Sequence, residues 1–208
     1  MMHDKELHVG GLTPMTTVDY PGELAAVVFC QGCPWRCRYC HNSELIPRNS
    51  HTSIPWQQVM EFLKQRRGLL DAVVFSGGEP TLQRELPAAM AQVKALGYKI
   101  GLHTGGPYPE RLCKVLPLVD WVGMDIKALE ENYPNLTGVE GSGVKAWESA
   151  GILLGSGVSH DIRTTVHPAL TSEDELQQII ERLQQLGPVN HKIQNCITSL
   201  CLEPELRV

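Results

Sequence analysis

The strongest constraint on the fold is an alternation. Short apolar runs recur along the chain, and a segment of helical periodicity separates each from the next. Residues 24–29 (LAAVVF), 72–75 (AVVF), 98–103 (YKIGLH), 121–125 (WVGMD), 161–166 (DIRTTV) and 191–194 (HKIQ) read as strands. Between them, Trp56, Val59, Met60 and Leu63 share one helical face, with Ser53 and Pro55 just ahead as helix starts prefer. Leu86, Met90, Val93 and Leu96 repeat the spacing and Gly97 supplies a stop. Residues 109–118 and 144–154 read as shorter helices. Residues 173–186 are the clearest, with Leu176, Ile179, Ile180, Leu183 and Leu186 on one face and Gly187-Pro188 as terminator. Strands alternating with single helices imply right-handed crossovers and a mainly parallel sheet. The expected fold is α/β: a curved, open, partial (βα)6 barrel formed as a single domain over residues 1–208. Residues 130–143 (EENYPNLTGVEGSG) read as a surface loop open to a partner. Sites in such sheets lie beyond the C-terminal strand ends, so chemically informative residues should follow strands.

Charge narrows the function classes. The 18 Lys and Arg are outnumbered by 23 Asp and Glu, for a net charge of −5. That argues against a nucleic-acid or anionic-membrane surface, which needs a basic field. No apolar stretch approaches the roughly 20 residues that span a bilayer. The opening MMHDKELHVGG lacks the apolar core of a signal peptide, so a cytoplasmic location is expected. Of the 7 cysteines, four cluster between Cys30 and Cys40. In a cytosolic chain such clustering points to metal rather than disulfides.

Cys33, Cys37 and Cys40 have the spacing C-x3-C-x2-C in the loop after the first predicted strand. Soft thiolates suit zinc or iron–sulfur clusters. Three ligands can hold three irons of a cube and leave the fourth open. The other reading is a non-catalytic zinc or iron–sulfur module, with Cys30 or His41 as a fourth ligand. Against it, His41 adjoins Cys40 and Cys30 ends a buried strand. Cys113, Cys196 and Cys201 match no cluster motif and read as small buried hydrophobes, with a redox role for Cys196 and Cys201 as the alternative.

Further motifs follow the later strands. In Ser76-Gly77-Gly78-Glu79-Pro80 the small residues permit close backbone approach, and the carboxylate can accept from an ammonium group. His103-Thr104-Gly105-Gly106 follows the third strand. In Met124-Asp125-Ile126-Lys127, alternation puts Asp125 and Lys127 on one side. Arg163 lies inside the fifth strand and needs a partner: Glu79, Asp125 or a ligand carboxylate.

The triplet with Tyr39 before its last cysteine resembles the motif of the radical S-adenosylmethionine (SAM) superfamily. The wider segment is more specific: Thr17-Val18-Asp19-Tyr20-Pro21-Gly22, Phe29, Gln31-Gly32-Cys33 and Tyr39-Cys40-His41-Asn42. It resembles the activating enzymes of glycyl radical enzymes, and among them most the anaerobic ribonucleoside-triphosphate reductase activating proteins, from about residue 10 to residue 168. The resemblance implies one 4Fe–4S cluster on Cys33, Cys37 and Cys40. It also implies a SAM site built from Tyr39, Gly77, Gly78, Glu79, Thr104, Asp125, Lys127 and Arg163. An external flavodoxin or ferredoxin would reduce the cluster. Reductive cleavage of SAM would then give a 5′-deoxyadenosyl radical that takes hydrogen from a glycine of a partner glycyl radical enzyme. Better-known activases carry an acidic residue where His103 stands. The alternative within the superfamily is a small-molecule enzyme of the 7-carboxy-7-deazaguanine synthase type; the Thr17–Gly22 segment and Asp125-Ile126-Lys127 weigh against it.

Overall fold

The computed structural model describes residues 6–49 and 53–207. One open sheet runs in sequence order through β1 (Val9–Thr16), β2 (Ala25–Cys30), β3 (Ala72–Gly77), β4 (Lys99–Thr104), β5 (Trp121–Asp125), β6 (Ser159–Val166) and β7 (His191–Asn195). Strands β2 to β7 are parallel, and each apolar run named above forms one of them. Helices α1 (Trp56–Gln65), α2 (Leu86–Ala95), α3 (Pro109–Val115), α4 (Tyr133–Thr137), α5 (Ser142–Gly155) and α6 (Glu173–Leu186) fill the crossovers.

Two elements depart from the sequence reading. Strand β1 was not expected: it adds a seventh strand, antiparallel to β2. Its sequence VGGLTPMT carries two glycines and a proline, which are depleted in strands. An edge strand tolerates them, and its register with β2 shifts twice. The second departure is in residues 130–143, which are not an open loop. Helix α4 starts with Pro134 in its first turn and stops at Gly138, φ +72°. The cause is tertiary: Tyr133 is fully buried, its ring 5.8 Å from that of Trp35.

Alternation along the strands sorts two apolar sides. Ala26, Val28, Val73, Phe75, Ile100, Leu102, Val122 and Met124 belong to the main core with the helices. Ala25, Val27, Ala72, Val74 and Trp121 form a second, inner cluster closed by Tyr20 from the segment after β1. The Tyr20 and Trp121 rings stand 5.3 Å apart. Gly101 makes room for them, since a Cβ there would lie 2.9 Å from both Tyr20 and Val74. Toward the C-terminal strand ends the inner face turns polar, with Ser76, His103, Asp125, Arg163, Thr165 and Gln194. Helix α6 is capped by Ser172, whose hydroxyl accepts from Glu175 N at 3.1 Å, and it buries Ile179 and Leu183. Among the described residues no helix is long and apolar enough to cross a membrane.

Candidate active site

A cleft of about 280 Å³ opens over the C-terminal ends of the strands. It is lined by Cys33, Cys37, Cys40, Tyr39, Gly77, Gly78, Glu79, Thr104, Asp125, Lys127 and Arg163, so every site residue expected from sequence reaches one place.

The cysteine loop is held by backbone on both sides. Gly32 N donates to Leu45 O at 2.8 Å and Cys33 N to Ile46 O at 3.0 Å. On the far side Arg36 N and Arg38 N donate to Thr137 O and Leu136 O, at 2.9 and 3.0 Å. Helix α4 is therefore a back-plate for this loop. Trp35 is buried against Gly105, where a Cβ would come 2.6 Å from its ring. Burial pushes the Cys33 thiol up to about 12 and the Cys37 thiol up to about 11, and raises Cys40 as well. Without a metal these are neutral thiols; an ion's charge is what makes them thiolates.

The two ligands nominated for a closed zinc site do not join the triplet. Cys30 is fully buried in β2 and does not line the cleft. His41 Nε2 lies 3.4 Å from Cys196 Sγ instead. The sequence expectation for the remaining cysteines is corrected in part. Cys201 is buried as expected, Cys196 is half-buried, and Cys113 is exposed on α3. Cys113 sits within the first turns of a short helix whose buried face is carried by Pro109, Leu112 and Val115.

The glycines of the Gly-Gly-Glu-Pro turn serve packing. Gly77 has φ +111°, and Gly78 N donates to Cys30 O at 2.9 Å. Glu79 N donates to Gly32 O at 2.9 Å, which docks the turn on the cysteine loop. Glu79 is 3% exposed. Its Oε1 accepts from Thr81 N at 3.0 Å and from the hydroxyls of Thr81 and Thr104 at 2.5 and 2.8 Å; Oε2 accepts from Gly105 N at 2.9 Å. Burial raises its carboxyl pKa, and these donors oppose the rise. Thr104 is committed too, since it also accepts from Gly106 N at 3.0 Å. Glu79 and Thr104 thus tie the turn after β3 to the loop after β4. Oε2, with one donor, keeps capacity for an ammonium group.

His103 is a neutral structural group at the floor. Nδ1 faces Ser76 Oγ at 3.3 Å and Nε2 faces the Asp19 carbonyl at 2.9 Å. That places the proton on Nε2, with Nδ1 accepting from the serine. Asp19 belongs to the Thr17–Gly22 segment, which therefore acts as a plug beneath the site. Burial first, then the neighbouring Arg163, lowers the His103 pKa from an ordinary 6.5 to about 4. A folded value below the unfolded one means the unfolded chain takes up the proton first. The contribution of His103 to stability is present above pH 6.5 and is lost as pH falls through 6.5 towards 4. Denaturant titrations across that range should show this decline, with a shallower slope in His103→Gln.

Asp125 is the centre of the charged wall. It accepts from Arg163 Nε at 2.9 Å across paired β5 and β6, and from Nζ of Lys127, two residues further along the chain, at 3.2 Å. The three side chains are 28%, 17% and 14% exposed in the order Asp125, Arg163, Lys127. Burial alone would raise the Asp125 pKa; Arg163 and Lys127 hold it well below the usual carboxylate range. Burial likewise opposes the charge on Lys127, and Asp125 keeps it firmly protonated. Lys127 Nζ stands 5.7 Å from the centre of the Tyr39 ring, and Lys127 N donates to Tyr133 Oη at 2.9 Å. One anion between two cations leaves a local excess of positive charge facing the cleft, suited to a carboxylate.

Comparison with known proteins gives the family. A family model described as the radical SAM superfamily matches residues 27–189. The chain belongs to the radical SAM superfamily. It is 31% identical over 168 residues to the pyruvate formate-lyase 1-activating enzyme of Escherichia coli strain K12, covering 76% of this chain and 67% of that enzyme. It is 29% identical over 210 residues to the pyruvate formate-lyase-activating enzyme of Clostridium pasteurianum, covering 87% and 79%. In structure it resembles SuiB of Streptococcus suis bound to the precursor peptide SuiA, with a TM-score of 0.66 at 15% identity. That match covers 84% of this chain and 40% of SuiB, and it shows the fold alone.

The cofactors of this radical SAM enzyme are a 4Fe–4S cluster and SAM. The residues present fit them. Three thiol donors line the cleft from one short loop. The excess positive charge suits the carboxylate of an amino-acid ligand. Tyr39 Oη is buried with no hydrogen-bond partner among the described residues, an orphan polar atom beside the same cleft. Sequence reasoning missed Trp35, Gly105 as its partner, and Tyr133. Each acts through a contact distant in sequence, which the motifs that contain Trp35 and Gly105 do not reveal.

Proposed function

We propose that the chain activates a glycyl radical enzyme, and that this partner is an anaerobic ribonucleoside-triphosphate reductase. The observation that carries the reading is the convergence of the cysteine triplet and the Asp125–Lys127–Arg163 wall on one cleft at the strand ends. The relationship to two pyruvate formate-lyase-activating enzymes supports the class of partner. The Asp125-Ile126-Lys127 motif supports the same class, and the resemblance of the wider segment from Thr17–Gly22 to Tyr39-Cys40-His41-Asn42 supports the reductase as its member.

Cys33, Cys37 and Cys40 hold the cluster. Arg163 and Lys127, balanced by Asp125, orient the SAM carboxylate. The free lone pair of Glu79 and the backbone of Gly77 and Gly78 receive its ammonium group, with Thr104 fixing Glu79 in place. Tyr39 lies against the cosubstrate. When bound and reduced, the cluster and SAM supply a primary carbon radical able to take the α-hydrogen of a glycine. The chain's remaining task is to exclude water, which the inner apolar cluster does from below. The electron donor in this reading is a flavodoxin or ferredoxin, the 1–208 chain acts as one domain, and its setting is the cytoplasm.

The test is anaerobic incubation of reconstituted protein with SAM, a reductant and candidate partners, read by electron paramagnetic resonance. The expected result is a glycyl radical on the ribonucleotide reductase, absent when its radical-bearing glycine is changed to alanine. A radical formed only on pyruvate formate-lyase would replace the partner. SAM cleavage with no radical on either protein would overturn the activating role and favour a small-molecule substrate of the 7-carboxy-7-deazaguanine synthase type.

A further inference from the structure

A second group of soft donors lies beside the cleft and plays no part in the roles above. We propose that His41, Cys196 and Cys201 form a separate zinc site that clasps the chain beyond β7 to the cysteine loop. The donor atoms of these three residues all lie within 4.8 Å of one another. Cys196 Sγ is 3.4 Å from His41 Nε2 and 3.5 Å from Cys201 Sγ. A tetrahedral zinc with Zn–S of about 2.3 Å and Zn–N of about 2.0–2.1 Å has S···S edges of about 3.8 Å and S···N edges of about 3.6 Å. The two Cys196 distances are within a few tenths of an ångström of these edges, and the His41–Cys201 pair is within the same 4.8 Å limit.

The surroundings favour a built site. Cys201 is fully buried, which fixes its thiol. The His41 ring also hydrogen-bonds the Ile197 backbone. A second partner of that kind is what orients a ligating imidazole. Cys196 is anchored at the end of β7 by its N–H to Val166 O at 2.9 Å, and Cys201 by its N–H to Thr198 O at 3.1 Å. His41 and Cys196 are half-buried, so water can complete the tetrahedron. A disulfide between the two cysteines would use the same sulfurs, but it gives no role to the converging imidazole.

The site's place in the fold suggests its purpose. The sheet is open, β7 is its edge, and the cysteine loop follows β2 near the other edge. The chain beyond β7 already reaches that loop through Arg38 Nε to Glu203 Oε2 at 2.7 Å and Glu203 N to Arg38 O at 3.0 Å. A metal at His41, Cys196 and Cys201 locks this bridge.

The experiment is metal analysis of anaerobically purified and reconstituted full chain, after zinc addition and desalting. The expected result is about one zinc per chain in addition to the cluster iron. A Cys196→Ser/Cys201→Ser variant should lose the zinc and keep its iron and its SAM cleavage. A Cys33→Ala/Cys37→Ala/Cys40→Ala variant should lose the iron and keep the zinc, which serves even if the first variant folds poorly. The proposal is overturned by wild-type protein without zinc, by zinc that survives in the Cys196/Cys201 variant, or by a Cys196–Cys201 disulfide in metal-free anaerobic protein. None of these readouts depends on the activating role.

Discussion

Replacing Gly77 by alanine should cost about 3 kcal/mol or more of stability and leave a protein that no longer takes up iron on reconstitution. Two penalties combine. At φ +111° the backbone is in a region that residues with a Cβ rarely adopt. The added Cβ would also fall 2.5 Å from Cys30 N and 2.7 Å from Cys30 O. Those atoms are backbone of the paired strand, so no side chain can swing aside. Relief requires β2 and β3 to separate where one carries the cysteine loop and the other the Gly-Gly-Glu-Pro turn. Gly157→Ala is the control. Its φ is +75°, but nothing lies within 4 Å, so only the backbone penalty of about 1–2 kcal/mol applies. Denaturant melts and iron assays on both variants separate the steric effect from the conformational one.

Asp125→Ala should be the most damaging change in the charged wall. It leaves Arg163 and Lys127 facing each other with their shared anion gone. Breaking a buried pair costs about 3–5 kcal/mol. Partial exposure of all three side chains puts the expected loss at the lower end, about 3 kcal/mol. The same carboxylate gives an acid-side signature. Its folded pKa is depressed below the ordinary value, so its contribution is complete above about pH 4 and is lost as pH falls below that. This window lies beneath that of His103, so the two can be told apart in one pH series. The wild-type-minus-variant difference for Asp125→Ala should shrink only at the acid end. Calorimetric titration with SAM should show affinity falling at least about tenfold, a loss of roughly 1.4 kcal/mol.

Much of this was legible in the sequence because of how parallel sheets are made. Strands buried on both faces read as continuous apolar runs, so β2, β3 and β5 stand out as AAVVF, AVVF and WVGMD. Each site motif also follows its strand directly, so placing the strand places the motif. What escaped was held by contacts rather than by pattern. Strand β1 is an edge with glycines and a proline, and only pairing with β2 makes it a strand. Helix α4 is too short to announce itself and depends on the burial of Tyr133. The Asp19–His103 bond and the Glu79–Thr104 bond join residues far apart in sequence. His41 and Cys196 are separated by 155 positions, so no spacing rule links them.

The most direct measurement of the central claim is anaerobic quantification of 5′-deoxyadenosine after adding SAM to the reconstituted, dithionite-reduced protein. The wild-type chain should give product, Cys37→Ala none, and Asp125→Ala less at subsaturating SAM. No product from a wild-type chain shown to carry its cluster, or equal product from Cys37→Ala, would contradict that claim.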